Sequence, residues 1–187
     1  MDYMEIKTNH KITLLCLLVA LFYLLNSQVF WKAIYPIQYQ AEVTKAATHH
    51  NVDPYLVYSI MQIESNFKHS RTSNKGAKGL MQIMPDTADW VIEQAQLPPQ
   101  LREMLEVPEV NIFIGSWYIA FLERKFHNNH FAVIAAYNAG PGNVEKWLKE
   151  DQWDGTYQNI ADIPYGETRH YLQRVLYFYG KYREIYN

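Results

Sequence analysis

The chain of 187 residues has only one cysteine, Cys16, and no run of lysine or arginine. A single cysteine excludes an intramolecular disulfide and any zinc site built on several thiolates. The formal net charge is -2, which argues against nucleic acid as a partner, because proteins that bind nucleic acid carry clustered basic residues. Hydrophobic residues make up 49% of the chain, so the composition is that of a folded protein with one globular domain.

The sequence also lacks the alternating apolar and polar residues of half-buried strands, and it has no internal repeat. Helical spacing of apolar residues and Gly/Pro turns are present instead. Asp53 is expected to cap a helix that starts at Pro54, and Asn143 to cap the helix that carries Trp147. The predicted fold class is all-α, with helices over residues 55–67, 85–94, 108–126 and 131–137, one around Trp147, and a long one after Pro164.

A stretch without charged residues extends from Ile12 to Trp31. Twenty residues of helix span about 30 Å, which is just enough to cross a bilayer. Lys7 and Lys11 precede the stretch, so the N-terminus is expected in the cytoplasm. We expect residues 1–35 to form a cytoplasmic tip and an uncleaved membrane anchor. A cleaved secretory signal is the alternative, because the strongly apolar core is short. Both interpretations place residues 36–187 on the extracytoplasmic side.

Glu64 is the first candidate for chemistry. Ile60 and Met61 precede it by about one helical turn, and Phe67 follows it. Apolar surroundings disfavour an ionised carboxylate, so such a glutamate tends to stay protonated near neutral pH. A protonated carboxyl is what a general acid needs to protonate a glycosidic oxygen. From its spacing alone, however, a solvated glutamate at a helix end is the more ordinary interpretation.

The segment after Glu64 strengthens the catalytic interpretation. Gly76 and Gly79 permit tight turns and a close approach of the backbone to a ligand. Gln82, a polar residue among apolar ones, is suited to bonding a sugar amide or hydroxyl, and Met84 to packing on an acetamido methyl or a ring face. Each of these residues has an ordinary interpretation when it is taken alone.

Three ordered segments, residues 64–85, 135–144 and 163–175, resemble motifs of the lytic transglycosylases of the soluble-transglycosylase type. The resemblance covers roughly residues 41–182. It implies a lysozyme-like helical domain with a substrate groove, a peptidoglycan glycan strand as the partner, and no metal or cofactor.

The resemblance also implies roles for individual residues. Glu64 matches the family's single catalytic acid/base. Tyr137 matches a tyrosine near the catalytic carboxyl, bonding to it or to the muramyl acetamido group, and Glu167 matches a binding or structural group of the groove. The implied substrate-binding residues are Ser73, Gln82, Met84, Tyr137, Asn138 and Glu167.

One loop departs from the family pattern. Where the family commonly has proline and alanine, this chain has His69 and Arg71. Arg71 is larger and charged, so the contacts of this loop with a substrate are not carried over. Its simplest role is solvation of the loop.

The implied reaction uses one carboxylate twice. Glu64 protonates the glycosidic oxygen and then removes the proton of the C6 hydroxyl of the same muramyl sugar, which closes a 1,6-anhydro ring. A hydrolytic lysozyme and a non-catalytic glycan-binding module are the alternatives. A metal enzyme is disfavoured, because the pairs His49–His50 and His127–His130 come without a His-Glu-x-x-His pattern.

Overall fold

The computed structural model describes the chain from Asp2 to Asn187, with side chains from His10 onward. Within this range the predicted all-α class is confirmed: two isolated bridges, Thr72 with Lys78 and Lys78 with Ile83, are the only strand-like pairings. Two short 3-10 helices cover Pro99–Met104 and Ile160–Asp162. The α-helices are α1 (Asp2–Leu25), α2 (Gln28–Ile34), α3 (Gln40–His50), α4 (Pro54–Ser65), α5 (Pro85–Gln94), α6 (Pro108–Lys125), α7 (His130–Ala139), α8 (Pro141–Lys149) and α9 (Gly166–Tyr186).

The α4 helix begins as predicted. The Asp53 carboxylate accepts a hydrogen bond from the Tyr55 amide at 2.8 Å, and Pro54 occupies the first turn, where it costs no hydrogen bond. The helix ends two residues earlier than predicted, because Asn66 and Phe67 adopt left-handed backbone conformations with φ of 51° and 58°. The chain therefore leaves the helix axis directly after its last turn.

The prediction that Asn143 caps α8 is wrong. The helix begins at Pro141, whose fixed φ suits the first helical position, after Gly140 with a φ of 84°. Asn143 lies inside the first turn, and its side-chain amide donates to the carbonyl oxygen of Ala139 at 2.7 Å. It thus satisfies a carbonyl at the end of α7 instead of an amide of α8.

The α6 helix passes through the centre of the domain and is buried over much of its length. It packs against α3, α5 and α7, while α4 packs against α3 and α9. Phe113, Trp117 and Phe121 are half-buried at the margin of α6. Its completely buried aliphatic side chains are Ile112, Ile114, Ile119 and Leu122. Burying each of these side chains stabilises the fold by about 2 kcal/mol, so α6 is the support on which the neighbouring helices rest.

The apolar N-terminal stretch does not form the single helix over residues 12–31 that the sequence predicts. The Ser27 side chain interrupts it and caps α2 by accepting a hydrogen bond from the Val29 amide at 3.2 Å. In the described part of the chain, no single helix is long and apolar enough to cross a membrane. The pair His10–Leu25 and Gln28–Ile34, bent by 66°, meets the length and composition only when taken together.

The α2 helix packs against α9 through aromatic side chains. The hydroxyls of Tyr35 and Tyr177 are hydrogen-bonded at 2.6 Å. The Lys181 ammonium lies 5.6 Å from the centre of the Trp31 ring, within the range of a cation–π contact. The C-terminal helix therefore holds the segment that joins α1 to the rest of the domain.

Candidate active site

Side chains from four parts of the fold line a cavity of about 420 Å³. They come from the end of α4, the loop between α4 and α5, the end of α7 and the first three turns of α9. The lining residues are Ile63, Glu64, Arg71, Ser73, Gln82, Asn138, Glu167, His170, Tyr171 and Arg174. Because α9 packs against both α4 and α7, the cavity depends on the tertiary fold and on no single segment.

The Glu64 carboxyl lies in the last turn of α4 and is mostly buried. Burial raises its pKa from 4.5 to about 7, because a low-dielectric environment disfavours the charged form. Contact with Tyr171 and the charges of Arg71 and Arg174 lower this pKa, whereas the charge of Glu167 raises it. A carboxyl with a pKa near 7 can donate a proton and take one back at neutral pH, which is what a general acid/base must do.

Two tyrosines accompany this carboxyl: Tyr171, which is buried, and Tyr137, which is half-buried. The Tyr171 hydroxyl has no partner in hydrogen-bond geometry among the described residues, yet it is close enough to Glu64 to lower the pKa of that carboxyl. The Tyr137 hydroxyl donates to the carbonyl oxygen of Met81 at 2.9 Å. A bond from Tyr137 to the muramyl acetamido group stays a prediction. The tyrosine in contact with the carboxyl is therefore Tyr171, which the sequence analysis did not assign to the site.

The loop between α4 and α5 is held by its own side chains. Gln82 has a φ of 47°, a conformation that a residue other than glycine seldom adopts. Its amide nitrogen donates to the carbonyl oxygens of Arg71 and Gly79, both at 2.9 Å. The Ser73 hydroxyl accepts a hydrogen bond from the Ala77 amide at 2.9 Å. The Gln82 amide oxygen and the Ser73 hydroxyl proton are the groups that these contacts leave for a ligand.

Asn111 of α6 holds the loop between α4 and α5 in place. The sequence alone did not mark this residue as part of the site. The side chain is completely buried. Its oxygen accepts from the Met81 amide at 2.7 Å, and its nitrogen donates to the carbonyls of Lys78 at 2.9 Å and Leu105 at 2.8 Å. Gly79 lies directly against Asn111. A larger residue would not fit there, because an added Cβ would clash with the Asn111 amide nitrogen. The loop is therefore positioned by a buried polar network that nothing in local spacing reveals.

Four of the six predicted substrate-binding residues line the cavity with Glu64. These are Ser73, Gln82, Asn138 and Glu167. Asn138 is held against α9, because its side-chain oxygen accepts a hydrogen bond from the Thr168 hydroxyl at 2.7 Å.

The other two predicted residues are not part of the lining. Met84 lies at the start of α5 with 39% of its surface exposed. Tyr137 is half-buried, and its hydroxyl bonds to the Met81 carbonyl of the loop. Contact of either residue with a substrate stays a prediction.

Three lining residues of α9 have no role predicted from the sequence: His170, Tyr171 and Arg174. The signal for two of them was present, since Tyr171 and Arg174 lie three residues apart and so share one face of a helix. That spacing does not indicate which helix the face meets.

Among the described residues, no three His, Cys, Asp or Glu side chains are grouped so that they could hold a metal ion. His130 packs instead on the ring of Tyr179, with 4.8 Å between ring centres. His127 lies in the turn after α6, with a φ of 52°.

Comparisons with known proteins agree with this geometry. The model of the transglycosylase SLT domain matches residues 42–160. The soluble lytic murein transglycosylase of Salmonella typhimurium is 35% identical over 156 residues, which are 81% of this chain and 24% of the relative. The membrane-bound lytic murein transglycosylase C of Edwardsiella ictaluri is 32% identical over 171 residues, covering 79% of this chain and 47% of the relative.

Solved structures give the same result. The crystal structure of the 70 kDa soluble lytic transglycosylase from Escherichia coli superposes with a TM-score of 0.77 at 32% identity, over 83% of this chain and 25% of that one. A complex of the 70 kDa soluble lytic transglycosylase with bulgecin A superposes with a TM-score of 0.74 at 31% identity, over 83% and 25% of the two chains.

The chain therefore belongs to the transglycosylase SLT domain family, and its helical fold is the lysozyme-like fold of that family. It spans about a quarter of the length of the soluble relatives and about half that of the membrane-bound ones.

The raised pKa of Glu64 predicts a pH-dependent effect on stability. Folding raises this pKa from 4.5 to about 7, so the contribution of the protonated carboxyl is complete below pH 4.5 and is lost as the pH rises through 7. Glu64→Gln, which cannot ionise, should match the wild type at pH 4 and exceed it by about 3 kcal/mol at pH 8. Thermal unfolding at both pH values measures the difference.

Glu103→Gln, at an exposed carboxylate of the Pro99–Met104 helix, is the matched control and should gain nothing between pH 4 and pH 8. Equal stability of Glu64→Gln and the wild type at pH 8 would contradict a buried, proton-binding Glu64.

Proposed function

We propose that this chain is a peptidoglycan lytic transglycosylase with Glu64 as its acid/base. It cleaves the β-1,4 bond between N-acetylmuramic acid and N-acetylglucosamine and leaves a 1,6-anhydromuramyl end. The observation that carries the proposal is the mostly buried Glu64 carboxyl, with a pKa of about 7, in a cavity lined by polar side chains. Membership of the transglycosylase SLT domain family and the names of the relatives support it.

The reaction balances with one carboxylate. Protonated Glu64 gives its proton to the glycosidic oxygen, and the bond between that oxygen and muramyl C1 breaks. The acetamido oxygen of the same sugar binds C1 and takes up the developing positive charge. Ionised Glu64 then removes the C6 hydroxyl proton, O6 attacks C1, and the acetamido group is released. The attack is intramolecular, so the hydroxyl is held near C1 without an entropic cost of its own.

Several groups are available to hold the sugar during these steps. The Ser73 hydroxyl proton and the Gln82 amide oxygen have no intramolecular partner among the described residues and line the same cavity as Glu64. Tyr171 contacts the carboxyl and lowers its pKa, which favours the ionised form that the second step requires.

A hydrolytic lysozyme is the second candidate, and one observation favours it. Glu167 lines the same cavity as Glu64. Most glycosidases use two carboxylates that flank the glycosidic bond. Glu167 is exposed in the first turn of α9, a position that equally suits a binding group at the rim.

Product analysis distinguishes the candidates. Sacculi digested with the full chain and analysed by mass spectrometry should yield muropeptides with 1,6-anhydro ends, which are lighter by one water than reducing ends. Reducing ends alone would establish hydrolysis and reject the transglycosylase proposal. Binding to sacculi without soluble products would indicate a non-catalytic glycan-binding module.

We further propose that residues 1–35 anchor the protein in a membrane, with residues 36–187 as the catalytic domain on the extracytoplasmic side. The charge-free stretch over residues 12–31 and the preceding Lys7 and Lys11 support this topology. The intact N-terminus should be found by mass spectrometry in a salt-washed membrane fraction. A mature protein that starts near Gln28 would mean a cleaved signal instead.

A further inference from the structure

Two arginines face the candidate catalytic cavity, and neither has an ionic partner among the side chains from His10 onward. Arg71 reaches it from the loop after α4, and Arg174 from the third turn of α9. The ion pairs in the described part of the chain all involve other residues: Lys45–Glu109, Arg102–Asp89, Lys125–Glu145 and Lys181–Glu184. A guanidinium group is always charged and presents a planar set of donors that matches a carboxylate.

The backbone that carries Arg71 is firmly held. Its carbonyl oxygen accepts hydrogen bonds from the Gln82 side chain and from the Gly79 amide, each at 2.9 Å. Its own amide donates to the carbonyl of Lys68 at 3.2 Å. The arginine therefore starts from a fixed point of the cavity wall, which lowers the entropic cost of placing its charge there.

The charge balance of the cavity favours an anion. Arg71 and Arg174 line the cavity with Glu64, and both lower the pKa of its carboxyl, so their positive charge acts on the candidate acid. Glu167 is the one other acidic residue of the lining. While Glu64 is protonated, the two arginines outweigh Glu167, and a neutral sugar would leave this excess positive charge without a partner.

We propose that Arg71 and Arg174 together bind a carboxylate of the glycan strand beside the bond that Glu64 cleaves. The inference rests on the proposed function, because peptidoglycan is an acidic glycan: each muramic acid carries a lactyl carboxyl, and a stem peptide attached there supplies further carboxylates. N-acetylglucosamine has none. The arginine pair thus selects strands that contain muramic acid over chitin-like strands of the same length.

Binding at this position also assists the first proton transfer. A bound carboxylate neutralises the two arginines that lower the pKa of Glu64, and it adds a negative charge of its own. Both effects raise the pKa of the Glu64 carboxyl in the complex. The carboxyl is then protonated when the substrate is in place.

The test measures ligand affinity of the full chain in detergent, with Glu64→Gln as the background so that no ligand is consumed. Three ligands of equal sugar number serve as probes: a peptidoglycan oligosaccharide with stem peptides, the same oligosaccharide with its peptides removed, and a chitin oligosaccharide. Adding Arg71→Gln should weaken binding of the carboxylate ligands by about fivefold and leave chitin binding unchanged. Adding Arg71→Lys should recover part of the loss, since it restores the charge but not the planar donor pair.

Comparing the two peptidoglycan ligands, with and without stem peptides, identifies which carboxylate the arginines bind. A loss with both ligands assigns the lactyl group, and a loss only with peptides attached assigns the stem peptide. Arg124→Gln, at an exposed arginine in the last turn of α6, removes the same charge away from the cavity and should change none of the affinities. An equal loss for all three ligands, or no loss for any, would overturn the arginine site. The proposed reaction is judged separately, by the products that the wild-type chain releases from sacculi.

Discussion

Replacement of Glu64 by glutamine is expected to slow the release of anhydromuropeptides from sacculi by about a thousandfold or more. Glutamine keeps the size and hydrogen-bonding shape of the side chain but cannot give a proton to the glycosidic oxygen or take one from the C6 hydroxyl. General acid/base catalysis contributes typically about 10²- to 10⁴-fold, and here the same group would act in both steps. Initial rates of anhydro product formation at pH 7, measured by chromatography and mass spectrometry, give the size of the loss.

The matched control is Glu123→Gln. Glu123 of α6 is also partly buried, and burial raises its pKa, but it does not line the cavity. This variant should retain the wild-type rate. Binding of the Glu64→Gln variant to sacculi should also be retained, since the proposed loss is in chemistry. A Glu64→Gln variant that kept more than a tenth of the wild-type rate would refute the catalytic assignment.

Replacement of Asn111 by leucine is expected to lower the free energy of unfolding by about 3 kcal/mol. It should also lower the reaction rate, although Asn111 does not line the cavity. The change removes the side-chain partner of the Met81 amide and of the Leu105 carbonyl, and it leaves the Lys78 carbonyl with only the Ile83 amide. Each buried polar group that loses its hydrogen bond costs about 1–3 kcal/mol. The loop that carries Arg71 would lose its support on α6. Chemical unfolding measures the stability, and the rate of anhydro product formation at a temperature where the variant is folded measures the effect on the site.

A fall in rate of about tenfold with a folded protein is the expected outcome for Asn111→Leu. Gln94→Leu, at an exposed polar residue that ends α5, makes the same kind of change without removing a buried network. It should alter stability by less than about 0.5 kcal/mol. If Asn111→Leu unfolded at the same denaturant concentration as the wild type, the buried network would not be what fixes the loop.

Local sequence determined where several helices begin. Asp53 and Pro54 set the start of α4, and Pro85 and Pro108 start α5 and α6 within a residue of prediction. These features act through the backbone of their own neighbours, so they can be recognised without knowing the fold. The prediction for Asn143 failed because the choice between capping α8 and bonding back to α7 depends on where the preceding glycine turns the chain.

Sequence by itself also identified Glu64 as the candidate acid/base and gave four companions that share its cavity: Ser73, Gln82, Asn138 and Glu167. It did so through motifs whose order along the chain is distinctive, even though a single glutamate at a helix end is not.

Only the tertiary structure decided the environment of that carboxyl. Burial sets its pKa near 7, and burial results from the packing of α4 against α9, which helical spacing does not specify. The same packing brings Tyr171 to Glu64, while Tyr137 of α7 bonds to the Met81 carbonyl of the loop. The tertiary fold also places Arg71, an exposed residue of the loop after α4, in the wall of the cavity with Arg174. Residue spacing determines which side chains share a helix face, but a cavity is made by several faces, and their meeting depends on the whole fold.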